Sequence, residues 1–236
     1  MREGLFTLTE TRVMTPTVRL LRFEGDSSAI QAPGQFVMLP VPDRFLRRPF
    51  SVCDWDEGWF TVLIDRVGEG TAVLQDLPRG TELSVLTGLG HGFSMDAGDC
   101  GSLPLLIGGG TGLSPLVGLN RRLLMCGLRP RILLGFRNPR DTFGTELFPG
   151  AELQVAEDIF TGLNAVVHDR FFACGSEAMM AELCRREHTT GQVAFDVRMG
   201  CGFGACMGCS RKTVNGMKRV CSDGPVFRKE ELLWDD

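Results

Sequence analysis

Leu103-Pro104-Leu105-Leu106-Ile107-Gly108-Gly109-Gly110-Thr111-Gly112-Leu113-Ser114-Pro115 divides this chain into two kinds of sequence. A short apolar run ends in a glycine loop, and Ser114-Pro115 then opens an amphipathic stretch that reaches about Met125. Strand, glycine turn and a helix capped by Ser with Pro at its first position is how a βαβ unit begins. The rhythm continues downstream. Arg131 to Phe136, Glu152 to Ala156, Arg170 to Ala173 and Val193 to Asp196 read as strands, and Ser176 caps a helix running to about Arg186. Strands alternating with helices predict a parallel, doubly wound sheet.

Upstream the pattern is different. Leu5 to Val13, Val18 to Phe23, Gln35 to Leu39, Phe50 to Trp55, Trp59 to Arg66 and Glu82 to Leu86 are short strands between turn residues, with one helical stretch at Ala72 to Leu77. Six such strands suit a closed antiparallel barrel.

Composition narrows the function classes. Hydrophobic residues at 43% and charged residues at 23% exclude a disordered or coiled-coil chain. The net charge, 25 − 29 = −4, gives no basic footprint for nucleic acid or an anionic membrane. No run of 18 apolar residues exists and Met1-Arg2-Glu3-Gly4-Leu5 lacks an apolar signal core, so a cytoplasmic protein without a membrane anchor is expected. In that compartment nine cysteines, an odd number, do not form a disulfide framework.

Four of the nine crowd together. Four residues separate Cys201 from Cys206, two separate Cys206 from Cys209, and eleven separate Cys209 from Cys221. The first three match the plant-type [2Fe-2S] spacing, while the fourth comes too early for a plant ferredoxin. A hairpin turning at Asn215-Gly216 explains its reach: Val214 then faces Met217, and counting outward sets Cys221 opposite Ser210, next to Cys209. Gly200, Gly202, Gly204 and Gly208 alternate with the thiols, so backbone N–H groups can approach cluster sulfurs. A structural zinc site and unliganded core cysteines remain as alternatives at this stage, although zinc ordinarily takes two separated Cys-x-x-Cys knuckles.

Other motifs point to nucleotides. In Arg48-Pro49-Phe50-Ser51 the arginine suits a pyrophosphate and the serine hydroxyl a flavin ring edge, against the plainer reading of a surface Arg and a strand Ser. Gly68-Glu69-Gly70-Thr71 precedes the helical stretch and offers N–H groups to phosphate, or is a simple turn. Gly108, Gly109, Gly110, Thr111 and Gly112 form the nucleotide loop, although Ser114-Pro115 stands where a third fingerprint glycine belongs. Glu157-Asp158 suits a ribose hydroxyl and opposes a 2′-phosphate, favouring NAD over NADP, or is a solvated acidic loop; Arg137 and Arg140 argue the other way. Cys174-Gly175 ends a strand at the edge where ligands bind in open sheets, and an inert buried cysteine is its rival. His91, His168 and His188 lack metal-ligand spacing and read as surface or turn residues.

Together with Pro33-Gly34-Gln35-Phe36-Val37, Leu89-Gly90-His91-Gly92-Phe93, the stretch from Arg198 to Cys209 and Cys221 to Phe227, these motifs resemble, in order along the whole chain, the ferredoxin reductase-like electron-transfer subunits of NAD-linked type B dihydroorotate dehydrogenases. Thr87-Gly88 and Ser176 depart from the usual Gly-Pro and Pro of that family. The resemblance implies a multidomain β plus α/β protein: an FAD barrel over 1–100, a Rossmann-like NAD domain over 101–195 and a [2Fe-2S] domain over 196–236. It implies FAD at Arg48 to Ser51 and Gly68 to Thr71, with NAD as substrate at Gly108 to Gly112, Glu157, Asp158, Cys174 and Gly175. Cys174 is then expected near the nicotinamide, and Cys201, Cys206, Cys209 and Cys221 as cluster ligands. The implied partner is an FMN-containing catalytic subunit that oxidises dihydroorotate for pyrimidine biosynthesis, in a heterotetramer with two copies of each chain. A reductase subunit of a sulfide dehydrogenase, hydrogenase or transhydrogenase, and a zinc-stabilised binding module without redox chemistry, are the competing readings.

Overall fold

In the computed structural model, residues 1–136, 138 and 141–234 are described. Arg137 and Arg140 lie outside them. The barrel strands are β1 (Arg2–Val13), β2 (Val18–Glu24), β3 (Phe36–Leu39), β4 (Arg48–Asp56), β5 (Trp59–Asp65) and β6 (Glu82–Leu89), closed in the order β1-β2-β5-β4-β3-β6 with every pair antiparallel. Alternation along each strand fills the interior: Phe6, Leu8, Leu21, Phe23, Val37, Leu39, Phe60 and Val62 share one core. Phe60 packs edge-on to Phe6 and stacks on Phe23. Helix α1 (Glu69–Gln75) follows β5, with Leu74 in the barrel core and Gln75 donating to the carbonyls of Thr17 and Ile64.

After α2 (Ala97–Cys100) the chain enters the second sheet, built from β7 (Pro104–Gly109), β8 (Arg131–Gly135), β9 (Glu152–Ala156), β10 (Arg170–Gly175) and β11 (Thr190–Phe195). These five are parallel, in the order β11-β10-β7-β8-β9. Helix α3 (Ser114–Met125) covers one face, and α4 (Ile159–Leu163) and α5 (Glu177–Arg186) the other. Consecutive residues divide accordingly, Leu106 packing with α3 and Leu105 and Ile107 with α5.

Two expectations are corrected here. Ser114 is the first residue of α3, with αR dihedrals, rather than its cap; Gly110–Leu113 form a 3-10 turn running straight into the helix. Its hydroxyl instead donates to the carbonyl of Ser51 and ties α3 to β4. In the tail, β12 (Ser210–Thr213) and β13 (Gly216–Arg219) pair with Lys212 opposite Met217, two residues out of the predicted register. Thr213 causes the shift: it is buried, its hydroxyl bonds Gly216 O and Asn215 N–H, and Gly216 sits at φ +90°, so Val214-Asn215 become the turn. Cys221 therefore lies within α6 (Val220–Asp223), not in a paired strand.

The tail then rejoins the molecule. β14 (Val226–Arg228) pairs antiparallel with β11, and His91 exchanges backbone bonds with Gly224 and Val226. His168 also departs from a surface reading: its side chain is 8% exposed, with Nδ1 on the Val166 carbonyl and Nε2 on Glu187.

Candidate redox site

Arg48-Pro49-Phe50-Ser51 opens β4, and Gly68 to Thr71 form the turn into α1. All eight residues line one cleft of about 830 Å³. The Arg48 guanidinium is held by the carbonyls of Leu46 and Arg47 and leans on the backbone at Gly70, where a β-carbon would stand 3.3 Å from its Nε. Among the described residues no carboxylate pairs with Arg48; neighbouring Glu69 is taken by Arg44 at 2.6 Å. The Thr71 hydroxyl accepts from the N–H groups of Val67 and Gly68 and donates to Gly68 O, so it shapes the turn. Polar groups for an anion are thus present at one end of the cleft, with apolar Phe50 and Leu63 beside them.

The facing wall is the carboxyl edge of the second sheet. Thr111, Gly112 and Cys174 line the cleft; Gly108, Gly109, Gly110 and Gly175 do not. Gly112 is there because nothing larger fits: a β-carbon would stand 2.4 Å from the Cys174 carbonyl oxygen. Gly109 similarly abuts Met179 Sδ. The glycine loop is first a packing device between β7 and the end of β10. Burial, then the nearby Asp196 carboxylate, drives the Cys174 thiol far above its ordinary range, so it stays a neutral thiol.

Glu157 is exposed. Asp158 caps α4, accepting from Phe160 N–H and the Thr161 hydroxyl, and these bonds, Thr161 first, hold its carboxyl below the usual range. It remains charged, and neither acid lines the cleft.

The third wall was assigned no role by motif reasoning: Asp196, Val197, Arg198 and Met199, just past β11, complete the cleft, and of these only Arg198 and Met199 lay in a motif, as the lead-in to the cysteines. The available signal was their position between a strand end and the cysteine motif. Met199 stands two residues before Cys201, so the cleft runs directly into the thiol cluster.

The four thiols form two pairs. The Cys206 N–H points to Cys201 Sγ at 3.4 Å, and the Cys221 N–H to Cys209 Sγ at 3.4 Å. Cys206 is exposed and Cys201 half-buried, whereas Cys209 and Cys221 are buried. Among the described residues no three His, Cys, Asp or Glu side chains are gathered to hold one metal ion. Two pairs of thiols, three on the loop before β12 and the fourth returned by α6, suit a two-iron cluster. Burial disfavours the Cys201 thiolate, yet N–H groups of Cys206, Phe203 and Ala205 outweigh it and bring the thiol down to about 6. Cys221 is pushed up to about 12 by burial and then by Cys209 beside it. A thiolate favoured at Cys201 and a buried thiol at Cys221 beside Cys209 fit a cationic group among the sulfurs, which deprotonates such thiols outright. Gly200 and Gly208 leave Cys206 Sγ room, at 3.2 Å and 3.6 Å from where β-carbons would stand.

Known proteins match the segment that carries the thiols and most of the chain around it. The iron-sulfur cluster binding domain of dihydroorotate dehydrogenase B matches residues 196–233. Over 225 residues the chain is 36% identical to the dihydroorotate dehydrogenase B (NAD(+)) electron transfer subunit of Bacillus caldolyticus, covering 86% of this chain and 88% of that one. The corresponding subunit of Geobacillus kaustophilus is 35% identical over 86% of this chain and 88% of its own length. Among solved structures, an NADH-dependent reduced ferredoxin-NADP oxidoreductase superposes with a TM-score of 0.88, covering 97% of this chain and 90% of that one at 24% identity, which speaks for the fold. With a barrel and a parallel sheet closing on one cleft, paired thiols at its end and relatives matched over most of their length, the chain belongs to the family of electron transfer subunits of dihydroorotate dehydrogenase B (NAD(+)).

Proposed function

We propose that this chain is the electron-transfer subunit of an NAD-linked dihydroorotate dehydrogenase and passes electrons between a catalytic partner and NAD. One observation carries the reading: a single cleft is walled by the barrel, by the carboxyl edge of the second sheet and by the segment leading into Cys201. Bound FAD exchanges hydride with NAD and single electrons with a [2Fe-2S] cluster. Each part of the chain has a task in that exchange. Arg48, with no carboxylate partner among the described residues, neutralises the FAD diphosphate together with the first N–H groups of α1. Ser51 stands at the same wall, its carbonyl fixed by Ser114, with its hydroxyl toward the flavin edge. Gly112 and Thr111 admit the nicotinamide end of NAD beside Cys174, whose neutral thiol packs and positions rather than attacks. Cys201, Cys206, Cys209 and Cys221 hold the cluster.

The division 1–100, 101–195 and 196–236 belongs to the same proposal, as does a partner that carries FMN and pairs two-by-two with this chain. Among the described residues no helix is long and apolar enough to cross a membrane. The test is the purified chain's visible spectrum with FAD, iron and sulfide analysis, followed by anaerobic addition of NADH. Flavin bands and a cluster shoulder that both bleach support the proposal; a colourless zinc protein refutes it. Reconstitution with the catalytic partner must then yield dihydroorotate-dependent NAD reduction.

A further inference from the structure

Where the loop beside Cys201 meets the barrel, one contact leaves no space. Along β3, Val37 and Leu39 point into the barrel, while Phe36 and Met38 point outward into the core that also contains Cys209 and Cys221. Met38 is 1% exposed and pairs across the sheet with Pro49, a residue of the flavin cleft. Gly202, next to Cys201, lies on Met38: a β-carbon there would stand 2.7 Å from Sδ and 2.8 Å from Cγ. Gly202 also has φ +79°. The other loop glycines serve different neighbours, Gly200 and Gly208 facing Cys206 Sγ and Gly204 facing Ser222.

We infer that the Gly202–Met38 contact sets the separation between the flavin cleft and the iron–sulfur cluster, making both residues positioning residues for electron transfer. The inference rests on the function proposed above. Electron tunnelling decays exponentially with distance, so the loop's closest approach to the barrel is the quantity to control. Met38 is flexible in principle, but its enclosure leaves nowhere to swing, and a side chain at 202 must lift the loop. In the step concerned, NADH loses a hydride to the flavin and becomes NAD+. One electron of the pair then passes to the cluster's ferric pair, the other staying on the flavin.

Stopped-flow mixing of the holo chain with NADH separates flavin reduction from cluster reduction. In Gly202→Ala the flavin is reduced at the wild-type rate and the cluster several-fold more slowly; adding Met38→Ala restores the rate by making room. Met38→Phe fills the same space from the barrel side without a left-handed residue and gives the same slowing, whereas Met38→Leu, similar in volume, keeps the wild-type rate. In the apo chain the Gly202→Ala and Met38→Ala thermal shifts are non-additive. Wild-type cluster reduction in both Gly202→Ala and Met38→Phe, with full FAD and iron, overturns the inference. So does loss of iron in Gly202→Ala that adding Met38→Ala cannot repair, because the contact then holds the cluster rather than its distance. A wild-type chain lacking FAD or iron fails the functional proposal instead, before any variant is compared.

Discussion

Removing the Arg48 guanidinium isolates the electrostatic part of FAD binding. The side chain is pre-set by two backbone acceptors, Leu46 O at 2.8 Å and Arg47 O, and has no carboxylate partner among the described residues. Its charge is therefore available to a diphosphate without first breaking an ion pair. A charge-assisted hydrogen bond contributes about 1.5–3 kcal/mol, so Arg48→Ala weakens FAD binding by about 10- to 150-fold. The two carbonyls it leaves rehydrate at the half-exposed start of β4, so little of that loss is a folding effect. Arg48→Lys keeps the charge without the fork and recovers part of the affinity. Gly70→Ala is the geometric counterpart, since its β-carbon would press to 3.3 Å from Nε and displace the guanidinium. Titration of FAD into the apo chain, followed by flavin fluorescence and paired with thermal unfolding, reads both effects. An Arg48→Ala dissociation constant within about a factor of two of wild type, well inside the 1.4 kcal/mol that separates tenfold steps, refutes the placement.

Changing Cys201, Cys206, Cys209 or Cys221 to Ala removes iron and sulfide while FAD is retained on the barrel; iron analysis expects two irons per wild-type chain, and four variants with normal iron content sink the assignment. NADH reduces the flavin faster than NADPH does, and Glu157→Gln with Asp158→Asn narrows the difference; equal rates for the two nucleotides in stopped flow defeat the idea. Glu187 is a carboxylate that burial would raise, yet bonds from Thr189 and then His168 hold it below the ordinary range. Its stabilising contribution is therefore full at neutral pH and fades as pH drops below about 4 through the native value. Glu187→Gln should cost about 1–3 kcal/mol in urea unfolding near pH 7 and progressively less as pH falls below about 4 through the lowered native value, and a difference that grows on acidification contradicts the sign.

The barrel and the parallel sheet were legible because alternation with period two and the strand–helix rhythm are properties of consecutive residues. Register was harder. The Asn215-Gly216 signal located the hairpin, but buried Thr213 decided which residues turn, and its burial depends on the returning tail, where it bridges to Leu232. Ser114 failed as a cap for a similar reason: the glycine loop was already helical in its 3-10 turn, and the hydroxyl was used by β4, far away in sequence. The eight barrel residues expected for FAD do gather at one cleft, whereas Asp196 and Val197 belong to no motif, Arg198 and Met199 read only as a lead-in to the cysteines, and all four acquire their place only when β11 ends beside β10.

That convergence explains why the cysteine segment is not a detachable appendage. Strands β7, β10 and β11 are parallel, so their carboxyl ends open on the same side, and the chain leaves β11 there with five residues between Phe195 and Cys201. The first four of them, Asp196 to Met199, form a wall of the cleft before the chain reaches the thiols. The return path through α6 and β14 adds a strand to the same sheet and buries Cys209, Cys221, Val220 and Phe227 in the core shared with Leu105, Ile107 and the outer face of β3. A movement of the whole segment relative to the barrel is therefore resisted by the sheet as well. Rigid attachment of this kind suits electron transfer, which needs fixed distances between bound groups and no transport of the groups themselves.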